Sequence, residues 1–162
     1  MHKRFIASIL SFTLFFFLFS CNDGENKGYA HCEMTIPLPS DFYKISNPEY
    51  DVSFTNGSEY VAILRLSYVA AVTSGIPETL TTEEFGEYWL DECERNCDIL
   101  RFEDVDYCDY AETVDGVDYR YLAAFYRSKH AYFVVLFAVQ ASDNDSYTTK
   151  FLRYAADVYF TD

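Results

Sequence analysis

The side chains of this 162-residue sequence that could do chemistry are five cysteines, three histidines and a crowd of carboxylates. Nucleophilic catalysis needs a Ser or Cys beside a base that a third group orients. His31 stands in the polar tether next to Cys32, and His130 stands in the short turn Ser128-Lys129-His130, where an exposed polar residue is unremarkable. Glu103, Asp104, Asp106, Asp109, Glu112, Asp115 and Asp118 crowd the middle of the chain. Acids alternating along a strand read as a solvated face, and the tight Asp-x-Asp-x-Asp-Gly spacing of a calcium loop is missing. Asp143-Asn144-Asp145 reads as a turn and helix cap. The expectation is a non-enzymatic chain without a metal site or a cofactor.

Cys32, Cys93, Cys97 and Cys108 form an even set. In an oxidising compartment that suggests two disulfides, with three possible connectivities. Buried free thiols are a second reading, and a zinc site a weaker third, because Cys93-x₃-Cys97 lacks another pair at matching spacing. Cys93 and Cys97 fall one helical turn apart, with Cα atoms about 6 Å from each other and Cβ bonds pointing the same way. A bridge wants Cβ atoms about 3.8 Å apart, so joining these two would strain an intact helix. The pairing expected is Cys97 with Cys108 and Cys32 with Cys93.

Cys21 has a different setting. Lys3 and Arg4 precede a run from Phe5 to Phe19 that is apolar except for Ser8, Ser11 and Thr13. That is the charged start and short apolar core of an export signal. A membrane-spanning helix needs about 20 apolar residues, more than this run holds. Leu18-Phe19-Ser20-Cys21 resembles the bacterial lipobox, in which the cysteine is acylated, with palmitate for example, and becomes the first residue. The alternative is an ordinary signal peptide cut near Ser20. The organisation expected is a lipoprotein signal peptide over 1–20, a lipidated N-terminus and flexible tether over 21–32, and one domain over 33–162. Such a chain is lipid-anchored in the cell envelope; Asp23 and Glu25 leave inner membrane, outer membrane and cell surface all open.

Lys3 and Arg4 are the cations of the leader, so the remainder carries ten basic against 26 acidic residues, a net charge of −16. Such a surface repels phosphate backbones, which argues against nucleic acid as a partner. All 15 tyrosines follow Cys21, which marks a folded acidic domain rather than a disordered acidic tail. Tyrosine offers rigid amphipathic contact area. Tyr107, Tyr110, Tyr119, Tyr121 and Tyr126 are the candidates for an interaction surface, the alternative being that they fill a wet sheet edge.

The elements that must position these residues follow from periodicity. Residues 33–38 and 50–55 read as strands, and Asn56-Gly57 is a tight-hairpin signal into a third strand over 59–71. Thr81 to Glu84 has the capping-box pattern, opening a helix to about Asn96 whose stripe is Phe85, Tyr88, Trp89, Cys93 and Cys97. Strands are expected over 99–103, 107–113, 117–127 and 131–141, with Asp115-Gly116 as a second hairpin signal. Tyr132 to Val139 is apolar without alternation, so that strand must be covered on both faces. A last helix carries Phe151, Leu152, Ala155, Val158 and Tyr159. The fold class is α+β, a mostly antiparallel sheet flanked by helices as an α/β sandwich.

The run Ile36-Pro37-Leu38-Pro39-Ser40-Asp41-Phe42 leading into Tyr50-Asp51-Val52-Ser53-Phe54 belongs to a familiar pattern. So do the Thr82-Glu83-Glu84-Phe85 helix start, the Gly116 hairpin into Tyr119 and Tyr121, the Tyr132 strand and the Phe151 to Val158 helix. Over about residues 35–160 this order resembles the PsbP-like (PsbP/MOG-type) superfamily, in particular its bacterial envelope lipoproteins. The resemblance implies a central antiparallel sheet, a non-enzymatic role and a protein partner, but transfers no site residue. Two narrower functions stay open beside a general protein-interaction module. One is an immunity protein that neutralises a secreted toxin by charge complementarity; the other is a binder of an oligosaccharide or lipid between sheet and helix.

Overall fold

The computed structural model describes residues 26–141 and 146–161. The export segment, Cys21 and Asp143-Asn144-Asp145 lie outside them. The elements run β1 (Asn26–His31), β2 (Met34–Pro39), β3 (Tyr43–Ile45), β4 (Val52–Thr55), β5 (Glu59–Ser67), α1 (Tyr68–Thr73), α2 (Thr82–Glu92), β6 (Leu100–Phe102), β7 (Val105–Val114), β8 (Val117–Arg127), β9 (Ala131–Gln140), α3 (Tyr147–Ala156) and β10 (Tyr159–Phe160).

Seven strands form the main sheet in the order β3-β4-β5-β9-β8-β7-β6, and every neighbouring pair is antiparallel. A smaller sheet, β1-β2-β10, packs with α3 on one face. Helices α1 and α2 cover part of the other. The turns are those the chain spells. Asp115 and Gly116 both take positive φ, 51° and 80°, as a primed turn demands, and Gly57 takes φ 94° after Asn56. Strand β9 is buried from Ala131 to Val139, as its unbroken apolar run requires.

Helix α2 begins where its capping box is written. Thr81 Oγ1 accepts from the Glu84 amide and the Glu84 carboxylate accepts from the Thr81 amide. Phe85 and Trp89 then reach the sheet, Phe85 stacking on Tyr132 at 4.4 Å between centroids. Gly86 is the closest approach: a Cβ there would lie 2.9 Å from Phe125 and 3.0 Å from Ile99.

Four expectations are corrected. Residues 26–31 are strand β1, paired along its length with β2, rather than flexible tether. The third strand stops at Ser67, where the Ser67 hydroxyl caps α1 by accepting from the Ala70 amide. Helix α2 ends at Glu92, with Cys93 as its cap and Glu94 at φ 54°, so Cys97 lies beyond it. Helix α3 ends at Ala156, and Tyr159 belongs instead to the short strand β10 beside β2. The small sheet is hard to foresee because β1 is polar, its Cys32-Glu33 turn carries none of the Asn-Gly or Asp-Gly hairpin signals, and β10 joins β2 from the far end of the sequence.

Candidate functional site

Strand alternation decides which of the candidate tyrosines meet, because successive side chains point to opposite faces. Tyr110, Tyr119 and Tyr121 lie on the α2 face, whereas Tyr107 and Tyr126 lie on the face covered by α3 and the small sheet. Tyr126 is a core residue whose hydroxyl donates to the Ala155 carbonyl at 2.8 Å. The five expected residues therefore split three to two. The three are joined by Tyr50 and Tyr60, which alternation in β5 and the β3–β4 loop deliver to the same face.

Tyr110 and Tyr121 are stacked, with centroids 5.1 Å apart and planes 11° from parallel; Tyr119 adjoins Tyr121 at 6.2 Å. Tyr50 meets Tyr60 edge-on at 6.3 Å. The Tyr60 hydroxyl donates to Ser53 Oγ at 2.8 Å and accepts from Asn47 Nδ2 at 3.0 Å, which fastens the 46–51 loop over the sheet. That loop also closes an open strand edge. Past Val52 the Asp51 amide still donates to the Ile63 carbonyl at 3.1 Å, and the Asp51 carboxylate accepts from the Arg65 amide at 2.6 Å, so Asp51 continues the pairing where β4 ends.

Arg95, just after α2, lays its guanidinium over the Tyr110 ring at 5.0 Å and donates to Glu112 at 2.7 Å. Burial raises the hydroxyl pKa of Tyr50, Tyr110 and Tyr121, that of Tyr121 to about 12; neighbouring charges such as Glu112 add to the effect at Tyr121. The phenols are protonated at neutral pH and act as hydrogen-bonding, stacking groups rather than as bases. A shallow cavity of about 510 Å³ adjoins the cluster, lined by residues 44–47 and 50–52.

The cysteines sort by face as well. Cys97 and Cys108 meet thiol to thiol, and burial pushes the Cys108 thiol up, with the Cys97 contact adding to it. Cys93 lies beside them on the α2 face; burial lifts its thiol to about 11. Cys32 sits in the exposed β1–β2 turn at φ 53°, in the layer on the far side of the sheet. Cys32 and Cys93 are thus separated by the sheet, which corrects the expected pairing between them. All four are free thiols here.

Nor are the central acids simply a solvated face. Asp106 is buried and accepts from Thr82 and Arg101, tying the start of α2 to β7. Asp109 accepts from the hydroxyls of Tyr147 and Thr148, tying α3 to the opposite face of the same strand. Among the described residues no three His, Cys, Asp or Glu side chains converge as metal ligands, and no helix is long and apolar enough to cross a membrane. What the geometry defines is a layered antiparallel sandwich with a tyrosine-rich face on the α2 side.

No family model and no curated protein matches the sequence. Solved structures do resemble the fold. A protein of Bacteroides thetaiotaomicron is 12% identical with a TM-score of 0.54, over 80% of this chain and 45% of that one, so this chain spans less than half of it. The Ran-binding protein Mog1p of Saccharomyces cerevisiae is 10% identical with a TM-score of 0.54, over 86% of this chain and 97% of its own. The cyanobacterial PsbP protein of Synechocystis is 14% identical with a TM-score of 0.46, over 89% and 99%. The chain has the Mog1p-type fold.

Proposed function

We propose that this chain is a non-catalytic protein-interaction module, lipid-anchored to the cell envelope through Cys21. The observation that carries the interaction reading is the shared face on which half-exposed Tyr50, Tyr110 and Tyr119 lie over the buried Tyr60 and Tyr121 and present rigid aromatic area. The Mog1-type fold supports it, since Mog1p is itself described as a Ran-binding protein. A small ligand between sheet and helix is disfavoured, because Phe85, Trp89, Phe125 and Tyr132 fill that space with ring against ring.

The anchor rests on the lipobox and on chain geometry. Because β1 begins at Asn26, only residues 22–25 separate Cys21 from the folded domain, a reach of under about 18 Å for an extended chain. The domain is then held close to the bilayer. Replacing Cys21 by Ser should move the exported protein from the membrane to the soluble fraction. Co-purification from detergent-solubilised envelopes should return a recurrent protein partner with the native chain. A Ser variant that stays membrane-bound after its leader is cleaved would refute the anchor, and repeated recovery of the chain alone would refute the interaction role.

A further inference from the structure

We infer that the tyrosine face receives a basic, arginine- or lysine-bearing segment of a partner protein. The inference rests on the interaction reading above and names the chemistry of the partner. Its first support is the acidic rim. Glu49 lies within electrostatic reach of Tyr50 and Tyr60, Glu92 of Tyr88 and Cys93, and Glu112 of Tyr121 and Cys93. Asp51 adjoins Tyr50, and Glu49, Asp51 and Glu92 are exposed. Against these acids stand Lys44 and Arg95, and Arg95 is already spent on Glu112. A cationic segment gains field energy on approaching such a rim, and an anionic one is turned away.

The second support is that the face already holds one such cation. Arg95 lies over the Tyr110 ring while its nitrogen reaches Glu112, the combination of ring face and carboxylate that a guanidinium prefers. Tyr119 and Tyr50 are half-exposed neighbours of the same kind beside acids. An incoming Arg or Lys would repeat on them what Arg95 does on Tyr110. The half-exposed rings of Tyr50 and Tyr119 are the ones such a segment can reach.

The test uses the full-length chain in detergent micelles and a fluorescent nine-residue peptide of alternating arginine and serine, read by anisotropy at 150 mM salt. Tyr119→Ala is expected to weaken binding at least tenfold, and Tyr119→Phe, which keeps the ring, by less than threefold. Glu49→Gln with Glu92→Gln should weaken it at least tenfold. Glu103→Gln with Asp104→Asn removes two equal charges at the distant β6–β7 turn and should change it less than twofold. Circular dichroism of each variant confirms the fold. Equal losses from both charge pairs with no loss from Tyr119→Ala would mean attraction by net charge alone and would overturn the inference. So would absence of binding. If the peptide fails while co-purification still returns a partner, this inference falls and the interaction role stands; if neither binds, both fall.

Discussion

Tyr110 of β7 and Tyr121 of β8 stand directly opposite in the antiparallel register and stack ring on ring, which makes the tyrosine face a rigid continuation of the sheet. Their buried hydroxyls carry a pH signature. An unfolded tyrosine ionises near pH 10, whereas Tyr121 is held at about 12, first by desolvation and then by Glu112. Below pH 10 both states keep the proton and its contribution to stability is intact. Between 10 and about 12 the unfolded chain releases a proton that the native one retains, so stability falls by up to about 1.4 kcal/mol per pH unit for this group. Denaturant melts at pH 10, 11 and 12 should show a shallower decline for Tyr121→Phe. Identical slopes would mean that Tyr121 titrates as a free phenol.

Gly86→Ala should destabilise, against the usual direction. A glycine inside a helix normally costs about 0.5–1 kcal/mol relative to alanine. Here the added methyl would meet the Phe125 ring at 2.9 Å, with Ile99 at 3.0 Å, and would push α2 off the sheet. A loss of about 1–3 kcal/mol is expected from overpacking. A raised melting temperature would show that α2 is free to shift.

Cys97 and Cys108 should be the pair that oxidises. Treating the full chain with oxidised glutathione should remove two protons and two electrons from these thiols, forming one bridge across a loop of about ten residues, worth roughly 2–3 kcal/mol in the chain-entropy model. Non-reducing peptide mapping should recover Cys97 joined to Cys108. Recovery of Cys32 joined to Cys93 would contradict the separation of those residues by the sheet.

Glu33 clamps the β1–β2 turn to the main sheet. It accepts twice from Arg65 at 3.2 Å and once from Ser128 Oγ at 2.8 Å. Burial pushes its carboxyl up, but those hydrogen bonds outweigh it and hold the pKa below the usual range. Its contribution is present above the unfolded value near 4.3 and is lost as pH falls through the lower folded value. Glu33→Gln should cost about 1 kcal/mol at pH 7, and the gap from the native chain should close below pH 4 in urea melts. A gap that does not narrow as pH falls would place the effect in packing rather than charge.

Much of the main sheet was legible, because its signals are local. Asn56-Gly57, Asp115-Gly116, the Thr81–Glu84 box and the apolar run of β9 each state a structure within a few residues. The corrections fall where structure depends on distant chain. Strand β1 is polar and becomes a strand only because β2 offers its edge. Tyr50 and Tyr60 are not marked by alternation, since Tyr50 lies in the loop before β4 rather than in a strand from residue 50, and β5 is apolar on both faces. Tyr126 was grouped with Tyr110, Tyr119 and Tyr121 by composition, while its position an odd number of residues from Tyr119 and Tyr121 in β8 sends it to the other face. That parity is readable in hindsight from spacing alone. Cys97 and Cys108 meet as free thiols, although Cys97 lies beyond the helix whose stripe it was expected to join, and Cys32 sits in a turn of the other layer, a separation that depends on distant chain.

The central claim is that the tyrosine face meets a protein partner, and site-specific photocrosslinking tests it most directly. A photoreactive phenylalanine placed at Tyr119, on the open face, or at Tyr107, under the opposite layer, is incorporated into the full chain in cells that export it, and illuminated envelopes are compared. The expected result is one reproducible protein adduct from position 119, absent from position 107 and diminished when Glu49 and Glu92 are changed to glutamine. An adduct from position 107 alone, or none from position 119 in a folded, membrane-bound chain, would contradict the account.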